Sequence, residues 1–479
     1  MSRRSYSLYS LPWRRIKGAW NRMGTKFVSQ KMGFRDAEVR RLFDWLRAGE
    51  SASIVAVSGV GKSNLFNHLG DVETQQSYLE DEAPRTIVVR ANFHYLPDFT
   101  DRSVYSLILE QLELLDSQRE RLQLEPEVLE KISRSHELLL DAGGDVLKVQ
   151  RYFKLALRAL LADPKRRLAF LFDQFDEVYE KAEPRLFANL RGLREAYKYR
   201  LSFFTFTRDL LPNWAEMEPA QEEFYELLAA NVMGLRPYNR RDAMALLERV
   251  ATRNRLPLAE STAERLFRLT GGHGGLLRTA YLAISGAGMT LPENDSVAAL
   301  ALLQVAAVQL ECDKIWQSLN VLERKTLAYH VRNLPAAANS REVEQQLQLK
   351  GLLDEAEETR VFAPLFELYV KNQDEFWEQP LYFDRAARQV WVLGQPAPAL
   401  TQLEFRLFRL FHARVGEVLV KDDLVEAGWP NAQGGVSDEA IVAAVARLRK
   451  KIEPDPKHPR FLQNIHNQGY MLKTEEMRD

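Results

Sequence analysis

Within this 479-residue chain, the residues whose types and spacing best suit chemistry are Ser58-Gly59-Val60-Gly61-Lys62-Ser63-Asn64. The β-branched apolar run Ile54-Val55-Ala56-Val57 leads into them, and a helical pattern follows through Leu65 to His68. Binding a phosphate requires several backbone N–H groups to converge on one point. Gly59 and Gly61 reach conformations that a Cβ would hinder, and a helix beginning near Lys62 adds its positive end. This is the layout of a phosphate-binding loop, with Ala56 where the first glycine usually sits. In such a loop Lys62 reaches the β- and γ-phosphates and Ser63 ligates Mg²⁺. The expected ligand is a nucleoside triphosphate.

A second constellation lies downstream. The apolar run Leu168–Phe172 delivers Asp173 at its carboxyl end, where α/β sheets place ligands. There Asp173 would hold Mg²⁺ alongside Ser63. Asp176 and Glu177 follow within one turn, and either could polarise an attacking water, with Asp176 favoured; the alternative is that both solvate a helix start. Leu201–Phe206 ends at Thr207-Arg208, and a guanidinium there suits developing phosphoryl charge. Arg208 could equally form a structural ion pair.

These groups need a scaffold that brings strand ends together. Apolar strand patterns at 54–57, Thr86–Arg90, Leu168–Phe172 and Leu201–Phe206 alternate with helical patterns across Asp101–Leu115, Glu125–Leu140 and Asp145–Ala162. That alternation predicts an α/β fold with a parallel sheet covered on both faces. Glu216–Gly286 reads as helical, and Ser296–Leu310 as a buried helix. Val297–Asn372 reads as helices followed by the short pattern 350–353 and 360–364 of a small winged helix. A break at Asn372–Pro380 precedes a final unit, Leu381–Lys473.

Composition narrows the function classes. Lys plus Arg number 65 against 66 Asp plus Glu, so any nucleic-acid affinity must come from a local basic surface. The single Cys312 excludes an internal disulfide framework and fits a reducing compartment as a buried apolar residue. No apolar stretch spans a bilayer and no apolar leader is evident, which predicts a soluble, cytoplasmic protein without integral membrane contact.

Residues 1–31 carry eight basic and no acidic side chains. Trp13, Ile16, Trp20, Met23 and Phe27 recur at helical spacing, so this basic amphipathic arm reads as a docking helix, a nucleic-acid arm or a membrane-surface anchor.

Arg35-x-x-Glu38, Ala56–Ser63, Leu171-Phe172-Asp173-Gln174-Phe175-Asp176-Glu177 and Phe206-Thr207-Arg208-Asp209 together resemble the STAND branch of P-loop NTPases, relatives of AAA+ proteins. The resemblance implies a nucleotide-binding core over 32–215, with Arg35 among the nucleotide-binding residues, a helical lid over 216–296 and an inner winged helix over 297–378. It implies ADP holding a closed monomer and ATP accompanying an open, self-associating form, with slow hydrolysis used as a switch. The family lid usually carries a Gly-x-Pro against the nucleotide. Here the stretch is Gly272-His273-Gly274, with His273 as a turn or packing residue.

Val390–Gly394, Leu400-Thr401-x-Leu403-Glu404-Phe405, Trp429, Val436-Ser437, Arg447–Ile452 and Gly469-Tyr470 resemble, in order and spacing, the OmpR/PhoB winged-helix family across 381–475. That resemblance implies a double-stranded DNA reader with its recognition helix at about Asp438–Ile452 and a wing ending near Tyr470. Val442, Ala443, Ala444 and Ala446 cannot donate to base edges. Residues 381–479 hold 14 Lys plus Arg against 13 Asp plus Glu, so long-range attraction to phosphate is weak. Two readings follow. Arg447, Arg449, Lys450, Lys451, Lys457 and Arg460, with His466 in the wing, contact DNA mainly along its backbone. Alternatively, the Ala443/Ala444 face docks a protein.

The overall expectation is an ATP- and Mg²⁺-dependent switch that controls how the outer winged helix meets DNA, as a transcriptional regulator does. An oligomerising scaffold in signalling or antiviral defence and an AAA+-like DNA-loading or initiator ATPase are the alternatives.

Overall fold

The computed structural model describes residues 33–211, 218–332, 340–354, 360–373, 380–384, 389–393, 395–430, 435–465 and 468–474. The basic arm at 1–31 and His466 lie outside them.

Five parallel strands form the central sheet: β1 Ala52–Val55, β2 Thr86–Asn92, β3 Arg167–Asp173, β4 Leu201–Thr207 and β5 Val232–Gly234, in the order β2-β3-β4-β1-β5. All seven residues of β4 are buried, as are six of the seven in β3. These near-continuous apolar runs are what a strand covered on both faces requires. Each fully buried Phe or Leu in them contributes roughly 2 kcal/mol. One face packs on the helices Asp101–Glu113, Val146–Leu160 and Pro184–Ala196, the other on Asp36–Ala48 and Lys62–Leu69.

β5 was not foreseen. The stretch reads as part of a helical region, yet Ser53, Ile54 and Val55 pair with Val232, Met233 and Gly234. Three residues carry too little periodicity to announce a strand, and β1 supplies the pairing. The sheet therefore runs past residue 215, the expected end of the core. The helix Pro219–Ala229 also belongs to it, packing on Pro184–Ala196 through Phe224 and Leu228.

Beyond the sheet come Arg240–Asn254, Glu260–Thr270 and Gly274–Ser285, three helices of the lid. Ser296–Leu310 is not one helix. Asp295–Leu303 and Ala306–Gln317 meet at 89° across Gln304-Val305, and Val297, Leu300 and Leu310 are exposed. Among the described residues no single helix is long and apolar enough to cross a membrane. Val321–Val331, Ser340–Leu349 and Pro364–Lys371 follow, and among the described residues Leu353 and Val361 form an antiparallel bridge where the inner winged helix is expected to have its wing.

The last unit has its own core, built from Leu381, Phe405, Phe408, Leu448, Leu462 and their neighbours. A three-stranded sheet of β6 Leu381–Asp384, β7 Gln389–Val392 and β8 Gln395–Pro396 precedes three helices, Gln402–Ala413, Lys421–Gly428 and Asp438–Ile452. The hairpin of β9 Leu462–Ile465 and β10 Gly469–Leu472 closes it. Thr401 and Glu404 cap the first of these helices reciprocally, which fixes where it starts.

Candidate functional site

The strand order decides where the chemistry can sit. β4 lies between β1 and β3, and the register pairs Val55 with Thr207 and Asp173 with Phe206. The loop after β1, Arg208 after β4 and Asp173 at the end of β3 therefore share one edge of the sheet. Gly59 and Gly61 take φ of +79° and +109°, backbone that L side chains rarely adopt. Gly61 caps the helix Lys62–Leu69, so the amides of Lys62 and Ser63 open a helix N-terminus.

Lys62 Nζ is buried, lies 3.3 Å from Asp173 Oδ1, and makes no hydrogen bond. A buried ammonium short of acceptors at the mouth of such a loop fits the phosphates of a nucleotide. Asp173 Oδ1 also accepts from the Gln174 amide at 3.0 Å, and Ser63 is exposed beside Lys62. Ser63 and Asp173 are the oxygen donors suited to Mg²⁺ here, a donor set that such a cation usually completes with phosphate and water.

Asp176 is almost fully buried. Its Oδ1 accepts from the Arg208 amide at 2.5 Å and its Oδ2 lies 3.7 Å from Arg208 Nε. Burial raises its carboxyl pKa, against the opposing pull of Lys62 and Arg208. One oxygen of Asp176 thus ties the β3 end to the β4 end. Glu177 is more exposed, 3.8 Å from Arg208 Nη2 and 3.0 Å from Lys181 Nζ. Arg208 stays half exposed, its guanidinium resting on Gln174, Asp176 and Glu177.

Arg35 is turned inward. It holds φ +46°, its guanidinium donates to the Val60 and Arg236 carbonyls and to Glu38, each at 2.9 Å, and it stacks 4.5 Å from the Tyr238 ring. Its amide donates to Asp242. These partners are all protein groups that join the phosphate loop to the first lid helix, so Arg35 positions the loop from behind.

The lid lies directly on the loop. Nε2 of His273 donates to the Ser58 carbonyl at 2.9 Å, and the Gly275 amide donates to the Gly59 carbonyl at 3.0 Å. Tyr238 OH accepts from Asn64 Nδ2 at 3.0 Å. A Cβ on Gly61 would strike that hydroxyl, and one on Gly59 would meet the His273 ring and the Glu311 carboxylate. The sequence marks His273 as a turn or packing residue, and it is fully buried, but nothing in the sequence points to Tyr238 or Glu311. The glycines flanking His273 were the available signal, since they allow a helix start to approach another backbone.

The tail unit divides its cations. Arg447, Lys450 and Lys457 are exposed. Arg449 instead packs beneath the wing, donating through Nε to the Leu462 carbonyl at 2.8 Å and lying 5.7 Å from the Tyr470 ring. Lys451 pairs with buried Glu404 at 2.7 Å and bonds the Ala399 carbonyl. Arg460 lies over Phe461, and its amide bonds Glu453. The alanine face needs a correction. Ala444 is fully buried in the core, because it shares a helix face with Ile441, Val445 and Leu448. The exposed side carries Val442, Ala443, Ala446, Arg447 and Lys450.

Residues 394–472 match the family described as "Transcriptional regulatory protein, C terminal". The tail unit is an OmpR/PhoB-type winged helix. Protein PetR of Rhodobacter capsulatus is 38% identical over 97 residues, 19% of this chain and 40% of PetR, so this chain spans less than half of that relative. The Walker-type ATPase PABY2304 of Pyrococcus abyssi is 14% identical, with a TM-score of 0.43, over 70% of this chain and 95% of its own. The Aeropyrum pernix ORC2 protein is 15% identical, with a TM-score of 0.38, over 73% and 95%. Similarities at that level carry no functional argument; the sheet, the loop and the lid of this chain do.

Proposed function

We propose that this chain is a nucleotide-gated switch of the STAND type that governs how its C-terminal winged helix is presented to double-stranded DNA. The observation that carries the reading is the buried Nζ of Lys62, which makes no hydrogen bond and has the Asp173 carboxylate 3.3 Å away, at a glycine loop that the lid covers through His273 and Tyr238. Lys62 and the amides of Gly61, Lys62 and Ser63 bind the phosphates of ATP or ADP. Ser63 and Asp173 hold Mg²⁺, which supplies charge neutralisation at the β- and γ-oxygens. Arg208, on the strand between them, senses or stabilises the γ-phosphate. Glu177 or Asp176 orients the attacking water, and slow hydrolysis resets the switch. Release of the lid in the ATP state frees surface for self-association. Arg447 and Lys450, with Lys457, then contact DNA phosphates.

A second reading draws on Val442, which is 51% exposed beside Ala443 and Ala446. An exposed apolar residue in the N-terminal half of the helix Asp438–Ile452 suits protein docking. The test is calorimetry with Mg·ATP and Mg·ADP, then sizing and gel shifts in each state. The switch predicts heat on titration, loss of that heat in Lys62→Ala, and duplex binding that differs between nucleotides and weakens steeply with salt. Absence of heat in the wild-type chain would sink the central assignment. Nucleotide binding with salt-insensitive tail contacts would favour docking.

A further inference from the structure

The loop that leaves β4 carries more than Arg208. Its next residue, Asp209, places Oδ1 2.9 Å from Lys350 Nζ, and that same ammonium lies 2.7 Å and 2.9 Å from the two carboxylate oxygens of Glu323. Lys350 and Glu323 are 0% exposed and Asp209 nearly so. Burying such a cluster is a poor source of stability compared with apolar packing, so its placement calls for another explanation. Geometry supplies one, because each member belongs to a different element.

Glu323 is the third residue of the helix Val321–Val331, where it exchanges hydrogen bonds with Asn320 at 3.0 Å and 2.9 Å. The next amide of that helix start, Val321 N, donates to Asp384, a fully buried residue of β6 in the tail unit. Arg324 donates to the Tyr382 hydroxyl of the same strand at 3.2 Å. Trp391 of β7 is buried in the core shared with the inner winged helix. The Leu349-Lys350-Gly351 turn is also pressed against the sheet, since a Cβ on Gly234 would overlap the Leu349 carbonyl. A continuous line of buried polar contacts thus runs from the strand end bearing Arg208 through Lys350 and the Asn320–Glu323 helix start to the β6–β7 hairpin.

We propose that Lys350 is a positioning residue that couples the Arg208–Asp209 strand end to the tail hairpin, so that the bound nucleotide sets the posture of the DNA-binding unit. This rests on the nucleotide reading above. Hydrogen exchange on the full chain tests it, followed at Leu381–Asp384 and Gln389–Val392 with Mg·ADP and with Mg²⁺ plus a non-hydrolysable ATP analogue. In the wild-type chain the hairpin amides differ between the two states by on the order of fivefold or more. The combined variant Asp209→Asn, Lys350→Met, Glu323→Gln removes the charges at similar volume. It retains nucleotide binding and loses that difference. Asp384→Asn, remote from the nucleotide site, loses it as well, and serves where the combined variant does not fold. Equal exchange in both states of the wild-type chain, or a difference that survives in a folded variant, overturns the relay and leaves nucleotide binding standing. A wild-type chain that binds no nucleotide overturns the underlying reading instead.

Discussion

Nε2 of His273 donates to the carbonyl oxygen of Ser58 across 2.9 Å, while Nδ1 of the same ring faces the Leu276 amide at 3.4 Å. A carbonyl only accepts and an amide only donates, so the neutral tautomer with its proton on Nε2 satisfies both. One side chain thereby caps a lid helix and clasps the phosphate loop. His273→Ala removes the clasp and leaves a buried carbonyl unpaired, at a cost of about 1–3 kcal/mol. Fluorescent-nucleotide dissociation followed by stopped flow is expected to accelerate on the order of tenfold or more, with a lowered melting temperature. Unchanged dissociation would mean that the lid does not gate the loop.

The same ring makes lid closure sensitive to acid. Burial presses the His273 pKa from its ordinary 6.5 down to about 4, against the opposing effects of the Ser58 hydrogen bond and Glu311 and with a small contribution from Arg35 in the same direction. Between those values the unfolded chain binds a proton that the folded chain refuses, so stability rises with pH across that window. The contribution is complete above about 6.5 and is lost as pH falls toward about 4, worth about 3 kcal/mol in full. Melting curves recorded across that range are expected to show a steeper fall for the wild-type chain than for His273→Asn, which has no proton to gain there.

Gly234 tests the seat of the inner winged helix independently of charge. Its φ is ordinary for an L residue, so strain from handedness plays no part, but a Cβ there would overlap the Leu349 carbonyl. The two nearest atoms, the Leu349 carbonyl oxygen and carbon, are backbone and cannot swing aside as a side chain could. Gly234→Ala is expected to destabilise the chain by roughly 1–3 kcal/mol through overpacking, with β5 amides exchanging faster than those of β3. A neutral effect in thermal melts would show that the seat is loose.

On the tail unit, the exposed cations separate from the structural ones. Arg447→Ala with Lys450→Ala is expected to weaken duplex binding across sequences and to lower the salt slope by about 2 without a change in melting temperature. Arg449→Ala is expected to act the other way, by loosening the wing that its Nε holds through Leu462. Gel shifts over a salt series, paired with melts, distinguish the two. Equal effects on binding and none on stability would remove that division.

Much of the site was legible because its chemistry is local. The loop from Ser58 to Asn64, the strand ending at Asp173 and the strand ending at Arg208 each announce themselves through a few consecutive residues. The helix at about Asp438–Ile452 came instead from the resemblance of the tail to the OmpR/PhoB family, and the structure adds its cap, Ser437, whose hydroxyl accepts from the Ala440 amide. What escaped were groups whose role depends on distant partners. Nothing near Arg35 in the chain says that its guanidinium will end on Val60 and Arg236. Ala444 was misplaced because the buried and exposed sides of one helix differ by a single position.

The sequence by itself determined the kinds of element, the glycine loop and the acidic strand end, since these follow from period, turn chemistry and short-range spacing, while the winged-helix fold of the tail was legible through its resemblance to a known family. Tertiary structure alone decided that β4 stands between β1 and β3, that β5 exists, that His273 closes on Ser58, and that Lys350 joins Asp209 to Glu323. The physical reason is one of range. Hydrophobic patterning is written in neighbours three or four residues apart, whereas a buried hydrogen bond or ion pair is set by whichever chain segments the packed sheet and lid bring within about 3 Å.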